Sequence, residues 1–328
     1  MAQSSYFLGV DGGGTKTGFV LMDAAGQTVA THQGGPCYYI QIGFDGLHDL
    51  LAEGVASVLS QVSAGPEDIA YAFFGLPAHG EDSNAQSFLD VTPEAVLGHT
   101  RYACGNDMIC GWAGSLGGAD GINIVAGTGS IAYGERAGKK ARAGGWGELF
   151  SDEGSAYWIA LQGLNAFSRM SDGRLPKGPL HAILRDHFKL KHDLDICGIV
   201  FGRERPSRDR IAALSQLVRT AAQAGDAEAL RIFDQAGAEL AAIIDTIRTQ
   251  IGYGEDEVIP VSYSGGVFRA EALILEPLEA HLGALSQAYR LQAPLLSPTL
   301  GAALYAARLA GTPVQVADVE RVKQVAAT

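Results

Sequence analysis

Hydrophobic positions in this chain switch repeatedly between strand and helix period. The first stretch reads as strands: the apolar run Tyr6-Phe7-Leu8-Gly9-Val10 ends in Asp11-Gly12-Gly13-Gly14-Thr15-Lys16-Thr17, and a second apolar run occupies 18 to 22. A further turn, Asp23-Ala24-Ala25-Gly26, leads into a third strand over 27–31. Apolar residues then recur at helical spacing, at Leu47, Leu50, Leu51, Val55, Val58 and Leu59, which predicts a helix over 47–62. The opening is therefore β-β-β-α, unlike the βαβ of a dinucleotide-binding fold. Short buried strands are predicted at 70–75 and 101–104, with a helix over 107–114. After Leu116-Gly117-Gly118 the pattern restarts: Ile122-Asn123-Ile124-Val125, the turn Ala126-Gly127-Thr128-Gly129-Ser130, then Ile131-Ala132-Tyr133. This is an internal echo, about 115 residues after the first strand–turn–strand. From 153 to 251 the period is helical, with amphipathic stretches at 156–166, 208–224 and 227–251. A strand at 258–263, the turn Ser264-Gly265-Gly266-Val267 and a helix capped by Ser297-Pro298-Thr299 and running through Leu309 complete the chain.

Length turns the echo into two lobes. A chain of 328 residues exceeds the roughly 250–300 at which single cores stop growing. The boundary is expected near 117, giving a first lobe 1–117 and a second lobe 118–328 with helical insertions, the last helix free to pack back on the first. Hydrophobic residues at 47% and charged residues at 18% describe a folded chain rather than a disordered one. A formal net charge of −12 opposes nucleic acid and anionic membrane as partners, since like charges repel. Neither a basic-apolar leader nor an apolar run of about 18 residues is present, so a cytoplasmic protein is expected. Cys37, Cys104, Cys110 and Cys197 lack CxxC spacing and read as buried thiols.

An acidic protein needs dedicated local chemistry to hold an anionic ligand, and the glycine turns supply it. Without Cβ atoms, Gly12, Gly13 and Gly14 admit phosphate oxygens to backbone N–H groups, with Thr15 and Lys16 alongside. The alternative is an ordinary hairpin turn. The spacing fits neither a Walker loop nor GxGxxG, both of which lead into a helix. Asp11, at the end of an apolar strand, calls for a cation, and hydrated Mg²⁺ is the natural one. Gly127, Thr128 and Gly129 repeat the phosphate logic, and Gly265 and Gly266 offer a flat surface for a nucleobase and ribose. Asp107, at a helix start whose dipole favours a carboxylate, is the candidate general base; the other reading is that Asn106 or Asp107 is simply an N-cap. Gly144-Gly145-Trp146-Gly147 places an aromatic beside close-approach backbone, suited to a sugar face, and Asp152 or Glu153 can hydrogen-bond sugar hydroxyls.

Together these stretches, above all Gly144-Gly145-Trp146-Gly147 with Ser151-Asp152-Glu153-Gly154-Ser155-Ala156-Tyr157-Trp158, resemble the N-acetylglucosamine kinase family of the actin, hexokinase and heat-shock-chaperone ATPase superfamily, over about residues 6–310. The resemblance implies an α/β fold of two ribonuclease-H-like (actin-like ATPase) lobes, mixed sheets flanked by helices, with nucleotide and sugar in an interlobe cleft that closes when sugar binds. It implies ATP and Mg²⁺ as cofactors, Asp11 at the metal, and Gly13, Gly14, Thr15, Lys16, Gly127, Thr128, Gly129, Ala221, Gly265 and Gly266 at the nucleotide. Asp107 becomes the base, and Asn106, Gly145, Trp146, Asp152 and Glu153 the sugar-binding set. One departure stands out: Tyr38 occupies the place of the family's sugar-binding asparagine. A phenol for a short amide alters pocket volume and hydrogen-bond reach, leaving N-acetylglucosamine (to its 6-phosphate), glucosamine or a cell-wall-derived sugar as the substrate. The same superfamily includes benzoyl-CoA reductase-type activator ATPases, which need cysteines presenting an iron–sulfur cluster. A small-molecule sugar is the expected partner, and the long helices are compatible with a homodimer.

Overall fold

A computed structural model describes residues 6–203, 206–254, 256–285 and 288–319, and the chain divides into two compact units. The first unit takes residues up to 120 together with those from 294 onward; the second is 121–293. The expected lobes are 1–117 and 118–328 with the last helix free to pack back on the first, and residues from 294 onward group with the first unit. The reason is packing: Gly9 lies so close to the final helix that a Cβ there would sit 2.3 Å from Ala303 N, and Gly301 lies equally tight on Gly114 N, at 2.2 Å.

In the first unit, β1 (Tyr6–Asp11), β2 (Thr17–Asp23) and β3 (Thr28–Gly34) form an antiparallel meander, and β4 (Ile69–Gly75) and β5 (Tyr102–Gly105) add parallel to β1. The order is β3-β2-β1-β4-β5. Phe7 to Val10 are all buried, as a strand covered on both faces requires, whereas edge strand β3 buries only Ala30. The helices are α1 (Tyr39–Ser60), α2 (Gln86–Leu97) and α3 (Met108–Leu116). Helix α1 starts eight residues before the apolar periodicity does and is broken at Gly43 (φ 73°). Its first turn is held by aromatic contacts, Tyr39 stacking on Phe44 at 5.1 Å and Phe44 on Phe88 of α2 at 4.2 Å.

The second unit repeats the plan. Strands β6 (Gly121–Ala126), β7 (Ser130–Arg136) and β8 (Lys139–Gly144) are an antiparallel meander, and β9 (Val258–Ser264) and β10 (Ala288–Gln292) run parallel to β6, in the order β8-β7-β6-β9-β10. Between β8 and β9 lie α4 (Ala156–Ser171), α5 (Pro179–Phe188), α6 (Asp195–Phe201), α7 (Arg208–Ala213), α8 (Ser215–Gln223) and α9 (Ala227–Ile251), and α10 (Ala272–Gly283) comes after β9. Asp226 caps α9 by accepting from the Glu228 and Ala229 N–H groups, and the helix buries Ile232, Phe233, Leu240, Ile244 and Ile247 in the core. The helix expected over 208–224 is interrupted at Leu214 into α7 and α8. Helix α11 (Pro298–Leu309), N-capped by Ser297, returns the chain to the first unit. Cys37 and Cys110 are buried, Cys104 is half-buried, and Cys197 is exposed, contrary to the buried reading, because α6 buries none of its residues.

Candidate functional site

In the first unit the parallel strands deliver three chain positions to one end of the sheet: Asp11 closes β1, Gly75 closes β4 and Gly105 closes β5. Ligand sites in α/β sheets gather beyond the carboxyl ends of strands. The Gly12 N–H donates to Gly75 O at 2.8 Å, and the bare backbone of Gly75 lets the start of α3 come close: a Cβ there would fall 2.2 Å from Cys110 Sγ and 3.2 Å from the Asp107 Cα. Asp107 and Asp11 thus interact. Burial, then the nearby Asp107 charge, pushes the Asp11 carboxyl up to about 7, against the Thr299 hydroxyl, which donates to Oδ2 at 3.3 Å, and the charge of Lys16.

The two N-cap candidates separate cleanly. Asn106 Oδ1 accepts from the Met108 N–H at 3.2 Å, while Asp107, in the N-cap position with helical dihedrals, makes no side-chain cap bond. Capping therefore falls to Asn106 rather than to Asp107. Asn106 is buried and its Nδ2 donates to Glu81 Oε1 at 3.2 Å and to His79 O at 3.3 Å. The Cys37 N–H donates to Gly13 O at 3.0 Å, which fixes half-buried Tyr38 next to the glycine turn, where Gly14, Thr15 and Lys16 are exposed. Beside it, the Tyr39 hydroxyl donates to Asp82.

In the second unit, the turn 127–129 is pinned on both sides: Gly127 O accepts from Ala156 N at 2.9 Å and Thr128 O from Tyr157 N at 3.3 Å, anchoring it to the start of α4. A cavity of about 620 Å³ opens beside it, walled by Gly127, Thr128, Asp209, Gln216, Arg219, Gly266 and Arg269. Arg219 Nε is buried there without a hydrogen-bond partner, a donor awaiting an acceptor. Gly265 (φ 107°) is obligatory, since a Cβ would meet Ala126 O at 2.3 Å, whereas at Gly266 the space is open. The expected Ala221 is not brought to this cavity: it is fully buried in the core, and Gln216 and Arg219 of the same helix face the cavity instead.

The remaining positions cluster around Asp152. Its φ of 63° is unusual for a non-glycine residue and turns its carboxylate inward. There it accepts from the Ser130 N–H at 3.4 Å and pairs with Arg208, whose Nε also lies 3.2 Å from Glu148 Oε2. Burial raises its pKa; the Arg208 charge opposes the rise. Gly145 (φ 72°) leads into Trp146, which is 71% exposed. Trp146, Phe150 and Glu153 line a second hollow of about 440 Å³, and Glu153 O accepts from the Ser130 hydroxyl at 2.6 Å. Residues that sequence reading passed over are Thr299, Glu81, Arg208, Asp209 and Arg219. All five come from loops or helices remote in sequence from the glycine motifs, so no local pattern marks them.

Among the described residues no group of three or more His, Cys, Asp or Glu side chains is arranged as a metal cage. Mg²⁺ needs no such cage, since it takes one or two carboxylates and completes its shell with waters and substrate phosphates. Asp11, half-buried with another carboxylate beside it, fits that use; in the second unit the Arg219 donor fits a phosphate.

Comparison with known proteins places this geometry. The chain is 29% identical over 309 residues to an N-acetyl-D-glucosamine kinase of Dictyostelium discoideum, covering 92% of this chain and 97% of the relative. It is 27% identical to an N-acetylmuramic acid/N-acetylglucosamine kinase of Clostridium acetobutylicum, covering 80% and 85%. A solved structure from Chromobacterium violaceum, provisionally described as an N-acetylglucosamine kinase, superposes with a TM-score of 0.65 at 26% identity, covering 91% and 98%. A ROK-family glucokinase from Streptomyces griseus shares the fold at a TM-score of 0.51 and 17% identity. A family model matches residues 8–306, well over half of the sequence, and the chain belongs to the BadF/BadG/BcrA/BcrD ATPase family.

Proposed function

We propose that this protein is an ATP-dependent kinase that phosphorylates a hydroxyl of an amino sugar, N-acetylglucosamine at its 6-position before glucosamine or another cell-wall-derived sugar. The observation that carries this reading is the pairing of Asp11 and Asp107 at the carboxyl end of the first sheet, close enough for one charge to raise the pKa of the other. Phosphoryl transfer to an alcohol needs two carboxylates with different duties. Asp11 would hold Mg²⁺, which when bound would neutralise charge on the phosphates. Asp107, relieved of capping by Asn106, accepts the sugar hydroxyl proton. Thr15 and Lys16, with the N–H groups of Gly13 and Gly14, and the turn 127–129 receive phosphate oxygens, and Gly265 and Gly266 lie under the adenosine. Trp146 supplies an apolar face for the sugar ring, with Asn106, Gly145, Asp152 and Glu153 as its polar partners, and Tyr38 decides which 2-substituent is accepted. Site size supports a nucleotide: 620 Å³ lies within the range of small-ligand pockets.

The activator-ATPase reading finds less support. Cys110 is fully buried with its thiol toward Val10 O, and Cys104 donates to Leu89 O, so both thiols serve packing. Among the described residues no helix is long and apolar enough to cross a membrane, and a soluble sugar substrate in the cytoplasm fits this reading. Coupled ADP release with Mg²⁺-ATP, assayed with N-acetylglucosamine, glucosamine, N-acetylmuramic acid, glucose and no sugar, tests it. Sugar-dependent turnover is expected; turnover indifferent to every sugar overturns it.

A further inference from the structure

Resting on the kinase reading, a second observation concerns what already occupies the polar groups of the turn 127–129. Two adjacent residues of α7 lie on it with opposite charges. Asp209 accepts from the Thr128 hydroxyl at 3.1 Å, the donor that a phosphate would use. Arg208 pairs with the Asp152 carboxylate, and a Cβ placed on Gly129 would meet Arg208 Nη2 at 2.6 Å and Asp152 Oδ2 at 2.8 Å, so this ion pair sits directly on the turn. The two partners differ in exposure: the Asp152 side chain is 3% accessible and that of Arg208 is 41%. Arg208 also lies 3.2 Å from the half-buried Glu148 carboxylate, and a guanidinium this exposed can keep that contact while its other nitrogens exchange partners at small cost. A buried carboxylate cannot be left without a partner.

We propose that Arg208 is a phosphate-operated latch on the sugar-binding carboxylate. Without nucleotide, Arg208 satisfies Asp152 and Asp209 satisfies Thr128. A phosphate arriving at the turn displaces Asp209 by charge repulsion and by competing for the Thr128 hydroxyl, and draws Arg208 into a charge-assisted, bidentate contact with its oxygens. Asp152, released, takes sugar hydroxyls as its new donors. No bond is made or broken; one set of hydrogen bonds is exchanged for another. The exchange couples the two ligands, because each removes a competitor of the other, and linkage makes the coupling reciprocal. Arg208 is thus a positioning residue acting through Asp152.

Calorimetric titration of the full chain with a non-hydrolysable ATP analogue and with N-acetylglucosamine, each alone and in the presence of the other, tests the latch in wild type, Arg208→Ala, Arg208→Lys and Asp209→Asn. In wild type the analogue should tighten sugar binding by about tenfold, within the usual span of site–site coupling. Arg208→Ala should weaken the analogue about tenfold, bind sugar without nucleotide as tightly as nucleotide-saturated wild type, and bring the coupling factor to about 1. Arg208→Lys should restore part of the coupling, and Asp209→Asn should tighten the analogue roughly threefold by removing the repulsion. Unchanged coupling and analogue affinity in Arg208→Ala overturn the latch. Should no sugar bind wild type, the amino-sugar reading fails by itself, and the analogue affinities still decide: Arg208→Ala binding as tightly as wild type with Asp209→Asn no tighter overturns the exchange. If Arg208→Ala does not fold, Arg208→Lys and Asp209→Asn carry the same decision.

Discussion

The two units share one strand plan and differ at the same turn of it. The first unit's turn, residues 12–16, comes after a carboxylate at the end of β1; the second unit's turn, residues 127–129, comes after Ala126 at the end of β6. The longer turn leaves Gly14, Thr15 and Lys16 exposed, whereas the shorter one is covered by Arg208 and Asp209. A repeated scaffold therefore carries two chemistries. One copy puts a carboxylate where burial and a second carboxylate make ionisation costly, a place for a cation. The other keeps its strand end apolar, fully buried beneath Gly265, and devotes the turn to hydrogen-bond donors.

The sharpest way to break this division of labour is Asp107→Asn. On the proposed function this removes the base and should lower kcat by about 10²–10⁴-fold with the sugar KM changed little, read by coupled ADP release. Comparable loss from Thr128→Ala would mean that the second turn, too, takes part in the chemistry beyond binding.

Next in size is the strand end of the second unit. Gly265→Ala combines a disfavoured φ with a Cβ 2.3 Å from Ala126 O, and should cost about 3 kcal/mol or more of stability in denaturant melts.

The first unit's counterpart is Asp11→Asn. With a folded pKa near 7 against 3.8 for the free group, the folded protein holds the extra proton; this carboxyl's contribution is fully present below about pH 4 and is lost as pH rises through 7. Asp11→Asn should therefore be more stable than wild type at pH 8, on the order of 2 kcal/mol, and equal to it near pH 4, while losing Mg²⁺-dependent turnover. Added Mg²⁺ should raise the melting temperature of wild type at pH 8 and leave the variant unmoved.

Gly266→Ala has the smallest expected effect on folding, within about 0.5 kcal/mol, because its Cβ points into open space. It should raise the KM for ATP by several fold, since that space belongs to the cavity.

Much of the plan is legible from residue order alone because periodicity and glycine turns are local signals. The strand–turn–strand of 6–22 and its echo at 122–133 became β1–β2 and β6–β7, α9 fills the amphipathic stretch 227–251, and α11 begins at the cap its sequence announces. Helix α2 is harder to read, since Pro93 lies inside it, and the first turn of α1 depends on Phe88 from another helix. In the site, residue type and motif single out Asp11 and Asp107, but not which of Asn106 and Asp107 does the capping. Ala221 is the opposite case: the family resemblance implies a place at the nucleotide, whereas the helix turns that residue into the core.

What the sequence determined by itself is the repeated hairpin, the carboxylates and glycines it carries, and the acidic, two-unit character of the chain. These rest on side-chain period, glycine's missing Cβ and charge, all set residue by residue. Only the tertiary structure decided that 294 onward returns to the first unit, that Asp11 and Asp107 share one end of the sheet, and that Arg208 and Asp209 lie on the second turn. Those relations join segments far apart in the chain, and they are fixed by packing at Gly9, Gly75 and Gly129, where the absence of a side chain lets a distant segment come within contact.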